Sequence, residues 1–99
     1  MSMRLIELGE GATVGALVAA VQEGAADAII VEVAPEIAAL ERHLILAAIG
    51  PLAIELAPGT RLCAIDVAAG AEAEDVAAVR DWLASADCTT GQVVAVTGE

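Results

Sequence analysis

Ala28-Ile29-Ile30-Val31-Glu32-Val33 is rich in β-branched residues and almost unbroken in its apolar character. A strand with one wet face alternates apolar and polar residues, whereas a strand covered on both faces does not. This stretch therefore reads as an inner strand of a parallel sheet, with helices needed on both sides of it. Working towards the N-terminus, Arg4-Leu5-Ile6-Glu7-Leu8 closes at Gly9 and reads as a second strand, followed by a turn over Gly9-Glu10-Gly11-Ala12. Thr13 is placed to cap a helix in which Val14, Leu17, Val18 and Val21 share one face, and Gly24 stands where a C-terminal cap glycine belongs.

In the other direction, Pro35 suits a first helical position and Glu36 a first turn. The helix expected from there carries Ile37, Leu40, Leu44, Ile45, Ala48 and Ile49. Gly50-Pro51 predicts a kink or a break, because proline removes a helix hydrogen bond, and Leu52 to Ala57 adds a further turn or two. Pro58-Gly59 ends that element, and Thr60 to Val67 reads as a third strand. Ala68 to Ala71 then leads into an acidic helix start at Glu72, Glu74 and Asp75, with Val76, Val79, Trp82 and Leu83 as the apolar stripe. Gln92 to Val96 is the last strand. The order β-α-β-α-β-α-β defines an α/β chain, expected as one domain over residues 1–99 with a four-stranded parallel sheet in sequential order.

Composition narrows the function classes. Hydrophobic residues make up 59% of the 99-residue chain, but there is one Trp and no Phe or Tyr, so the core must rest on closely packed Val, Ile and Leu. A domain of this size buries about two-thirds of its unfolded surface. The apolar excess therefore predicts an oligomer. The formal net charge is −11, and Arg4, Arg42, Arg61 and Arg80 are the basic residues. Such a field repels phosphate backbones and anionic lipid, so neither nucleic acid nor membrane is an expected partner. Cys63 and Cys88 lack a C-x-x-C spacing and read as a buried thiol and a loop thiol, with no metal site. No run has the length of a membrane span or a signal peptide, and the expected location is cytoplasmic.

From about Glu41 to Val96 the chain resembles the C-terminal half of short-chain dehydrogenases/reductases. Leu52-Ala53-Ile54-Glu55-Leu56-Ala57-Pro58 and Thr60-Arg61-Leu62-Cys63-Ala64-Ile65 are similar to the stretch from the end of that family's active-site helix into its next strand. Asp75-Val76-Ala77, Leu83-Ala84-Ser85 and Thr90-Gly91-Gln92-Val93 are similar to its last helix and strand. The segment before Glu41 fits by topology.

The resemblance implies a half-Rossmann arrangement of three layers, α/β/α, whose last helix lies alone on its face of the sheet. It also implies that the catalytic tyrosine falls at Ala38 and its lysine at Arg42. Alanine has no proton to give, and arginine stays protonated as a planar fork. The serine position falls around Ala34 or Pro35, Val67-Ala68 stands for the Pro-Gly turn that contacts the nicotinamide, and Thr97-Gly98-Glu99 replaces the usual Asp-Gly-Gly ending. No dehydrogenase activity and no cofactor are expected.

Two ligand-site candidates remain. Gly9, Gly11 and Thr13 lie between a strand and a helix, where backbone N–H groups can receive a phosphate, but Glu10 sits inside the loop and turn glycines explain the same pattern. Glu32 and Asp66 lie near the carboxyl ends of adjacent strands, where open α/β sheets bind ligands. There they could share a proton, bind a cation or serve as strand-end hydrogen-bonding groups. Glu41-Arg42-His43 are neighbours on one helix and point in different directions.

The leading expectation is a non-catalytic domain that works by assembly, as a homodimer or as an accessory subunit of a larger dehydrogenase-like protein. In relatives, the helix corresponding to Pro35–Ala57 and the final helix and strand form the subunit contacts. Leu44, Ile45, Ala48, Ile49, Leu52, Val94 and Val96 are the expected interface residues. The alternative is a small-molecule binding module at the carboxyl ends of the strands, suited by its acidic lining to cationic or hydroxylated ligands.

Overall fold

The computed structural model describes residues 2–24, 26–86 and 89–98. Four strands, β1 (Met3–Leu8), β2 (Ala28–Val33), β3 (Arg61–Val67) and β4 (Val93–Val96), alternate with the helices α1 (Val14–Val21), α2 (Ala39–Leu56) and α3 (Ala73–Ser85). The strands form one parallel sheet in the order β1-β2-β3-β4, the Rossmann-like arrangement that the sequence predicts. In β2, which lies between two neighbours, every residue but Glu32 is buried.

Alternation of side chains along the strands divides the core in two. Ile29, Val31 and Val33 of β2 join Leu62 and Ala64 of β3 and Ile6 and Leu8 of β1 beneath α1 and α2. Ile30, Cys63, Ile65 and Val96 face the other way and pack on Val76 and Leu83 of α3. The layers are therefore helix, sheet, helix, with α3 alone on its side. Because the strands succeed one another in one direction, the crossover through α3 has the opposite hand to those through α1 and α2. This departs from the common rule and agrees with the resemblance.

Local chemistry explains most boundaries. Thr13 caps α1 as expected, its hydroxyl oxygen accepting from the Ala16 N–H at 3.1 Å. Gly24 is not the cap: α1 ends at Val21, Gln22 caps it in a right-handed conformation, and the Gly24 carbonyl accepts from Arg4. The second helix begins at Ala39, later than Pro35, because Ala34 to Ile37 make a turn that drops Ile37 into the core at 4% exposure. Nor does Pro51 break α2, which runs continuously from Ala39 to Leu56. Pro51 and Ala47, whose carbonyl the proline leaves without a helical donor, both lie on the exposed face, where water can complete the bonding. Trp82 departs from the expected stripe of α3. It is 59% exposed, while Val76 and Leu83 turn inward and Val79 packs beside them.

After β4 the chain folds back on the turn that leaves β3. Gly98 lies so close to Gly70 that a β-carbon there would sit 2.7 Å from the Gly70 carbonyl carbon, and Gly70 itself has φ +86°. Both positions therefore require glycine.

Candidate functional site

The four arginines organise the molecule. Arg4, on β1, donates to the carbonyls of Ala20 at 2.6 Å and Gly24 at 2.9 Å, so a cation from the sheet meets the C-terminal end of α1. Arg61 at the start of β3 does the same for α3, donating to Ala86 at 2.7 Å and to Ala84 at 3.2 Å. Neither helix has a basic residue in its own last turn, so these two side chains supply the charge that complements the helix dipoles.

The other two arginines hold the strand ends. Arg42, one turn into α2, reaches the carboxyl ends of β2 and β3, where it pairs with Asp66 and donates to the carbonyls of Ala34 and Val67. Arg80 on α3 donates to Glu32 at 2.6 Å on the opposite side of the sheet. Glu32 both accepts this hydrogen bond and stabilises the positive charge, raising the Arg80 pKa, with Asp81 and Glu7 adding to the effect.

Glu32 and Asp66 are consequently not a carboxylate pair. The register sets Glu32 beside Ile65 and Asp66 beside Val33, so the period of two puts the acids on opposite faces. Each has its own arginine. Sequence reasoning did not find Arg80, because its partner is distant along the chain and no local pattern marks it.

Gly9, Gly11 and Thr13 belong to the β1–α1 connection. The Gly9 carbonyl accepts from the Ala12 N–H at 3.0 Å, Gly11 has φ +85°, and the Thr13 hydroxyl is engaged in capping α1. The cavity at the carboxyl ends of the strands, about 260 Å³, lies instead on the α3 side. It is lined by Glu7, Glu32 and Glu36 with Pro35, Val67 and Val76, so only Glu32 of the candidate ligand residues borders it. Among the described residues no group of three or more His, Cys, Asp or Glu could hold a metal ion, and no helix is long and apolar enough to cross a membrane.

Ala38, expected at the tyrosine position, is exposed at the start of α2. Arg42, expected at the lysine position, is directed onto Asp66 and two main-chain carbonyls. Cys63 is buried, and loss of solvation raises its thiol pKa, opposed by the Gln92 backbone and by Arg61. A thiol held protonated in this way is a poor nucleophile. Cys88 lies outside the described residues.

Several expected interface residues turn out to belong to the interior. Ile45 and Ile49 are fully buried, Leu52 is 9% exposed, and all three pack under α2, while Val96 packs under α3. Ala48 and Val94 are partly buried against the same two cores. Leu44 is exposed, and the outward face of α2 continues it: Leu40, Leu44, Ala47, Pro51 and Ile54 are all exposed and share one side of the helix. Leu40 and Ile54 are 70% and 78% exposed. From Leu44 to Ile49 the helix is apolar around most of its circumference, which gives no contrast from which sequence alone can tell the inner stripe from the outer.

The class that the fold defines is a Rossmann-like α/β protein with a parallel sheet and an opposite-handed last crossover. The family model described as short chain dehydrogenase-like protein matches residues 11–96, and the chain belongs to that SDR-like family. The match takes in α1 and β2 as well as the region from Glu41 onward. Comparison with curated proteins and with solved structures returned no match.

Proposed function

We propose that the chain is a non-catalytic dehydrogenase-like domain that acts by assembly, pairing with a second copy of itself or with a larger dehydrogenase-like protein. The observation that carries this reading is the outward stripe of α2. Leu40, Leu44, Ala47, Pro51 and Ile54 form a continuous charge-free surface on a chain whose net charge is −11. Exposed apolar stripes of this kind mark interaction sites. The non-catalytic part of the reading is supported by Ala38 at the tyrosine position and by the engagement of Arg42 with structural acceptors.

Sedimentation equilibrium on the purified chain tests the assembly. A dimer, or a complex recovered with a larger reductase, supports it, and a monomer at high micromolar concentration that also captures no reductase contradicts it. An assay with NAD(P)H against carbonyl substrates tests the absence of reductase activity, and measurable turnover by the pure chain contradicts that part.

The cavity beneath α3 favours a second reading. Its three carboxylates, one of them paired with Arg80, suit a small cationic or hydroxylated ligand at the carboxyl ends of β1 and β2. A thermal shift of several degrees with a diamine, and none with NAD(P), would favour this reading over assembly alone.

A further inference from the structure

Among the described residues the sheet has a further unpartnered feature, independent of α2. β1 is an edge strand. In a parallel ladder every second residue turns both of its peptide groups towards one neighbour. The carbonyls of Ser2 and Leu8 accept from Ala28 and Ala34, so the even-numbered residues of β1 bond to β2. Met3, Leu5 and Glu7 therefore direct their N–H and C=O groups outward along the open edge. Their side chains lie on the α3 side of the sheet, where the main contacts of α3 are with β2, β3 and β4. Met3 and Leu5 are accordingly 42% and 38% exposed.

Natural edge strands are usually blunted by a lysine, a proline or a bulge. β1 has no lysine, proline or bulge: its ladder with β2 is unbroken, its one cation, Arg4, is turned onto the carbonyls of α1, and Glu7 is the one charge among its outward-bonding residues. We propose that this edge pairs with the same edge of a second copy, antiparallel about a two-fold axis normal to the sheet.

The register follows from the sequence. With Leu5 opposite its own copy, Met3 falls opposite the partner's Glu7, and every outward N–H and C=O of Met3, Leu5 and Glu7 finds a mate. A shift of two residues in either direction leaves some of these groups unpaired, and a larger shift towards the carboxyl end sets Glu7 against its copy, which like-charge repulsion disfavours. In the Leu5-centred register the two carboxylates are at opposite ends of the ladder. The exposed Met3 and Leu5 side chains of both copies merge into one apolar strip on the α3 side. Two four-stranded sheets become one continuous sheet.

Amide hydrogen exchange by NMR on the purified chain, over a concentration series, tests this. The amides of Met3, Leu5 and Glu7 are expected to slow at least tenfold together as concentration rises, and isotope-filtered spectra of a labelled and unlabelled mixture should show a contact between Leu5 and its copy. Leu5→Lys should abolish both effects, and Leu5→Val should keep them. Leu44→Glu with Ile54→Glu, which tests the α2 surface, should leave this protection intact, so the two interfaces fail separately. Exchange of the three amides that stays fast at every concentration would overturn the proposal, as would protection independent of concentration or an inter-chain contact in another register.

Discussion

Arg42 shows most compactly how this chain uses charge. Its guanidinium joins helix α2 to Asp66 and to two strand-end carbonyls. Arg42→Ala leaves those acceptors without their donor and should cost about 1–2 kcal/mol by urea denaturation, moderated because both side chains are partly exposed. Arg42→Lys keeps the charge but lacks the fork that reaches several acceptors, so it should recover only part of the loss. A wild-type midpoint in both variants would show that the clasp contributes nothing. Cys63 gives a prediction in pH. Its folded pKa is raised by burial, so the unfolded thiol ionises first, near the ordinary value of about 8.5. The contribution of this group is intact below that pH and is lost as pH rises through the window up to the folded value. Cys63→Ala should lose less stability than the wild type between neutral and alkaline pH, and equal slopes would contradict the assignment.

At the scale of elements, α2 carries both the sequence's success and its failure. The unbroken β-branched run of β2, the Thr13 cap and the alternation of elements were legible, because each is a local pattern with a local cause. The carboxylates Glu32 and Asp66 were visible at the strand ends, but their separation onto opposite faces depends on register, which no single strand encodes. The inner stripe of α2, with Ile45, Ile49 and Leu52, could not be told from the outer, with Leu40 and Ile54, because both are apolar. The arginine clasps were illegible for a different reason: their partners lie far away in sequence. If the outer stripe is an interface, replacing Leu44 and Ile54 with glutamate in a chain that also carries Leu5→Lys should weaken association at least a hundredfold relative to Leu5→Lys alone, while leaving the far-ultraviolet circular dichroism unchanged. Association retained in that triple variant would place the contact elsewhere on the molecule.

For the whole molecule, the decisive quantity is the net charge of −11, carried by 15 acidic residues against four arginines. All four arginines have internal partners. Little positive charge is left to draw in a phosphate, and two copies repel each other over distances beyond contact. The screening length falls to about 10 Å at 0.1 M salt. Association through apolar surfaces should therefore tighten as sodium chloride is raised from low to physiological strength, measured by light scattering, whereas an interface built on ion pairs would loosen. The most direct measurement of the central claim, that a reductase scaffold persists here as a means of assembly, is sedimentation equilibrium of the wild type beside Leu44→Glu/Ile54→Glu. The prediction is a wild-type mass of at least two chains and a loss of that association step in the variant. A wild type that sediments as a single chain at high micromolar concentration and physiological salt, with no larger reductase bound to it, would contradict the claim.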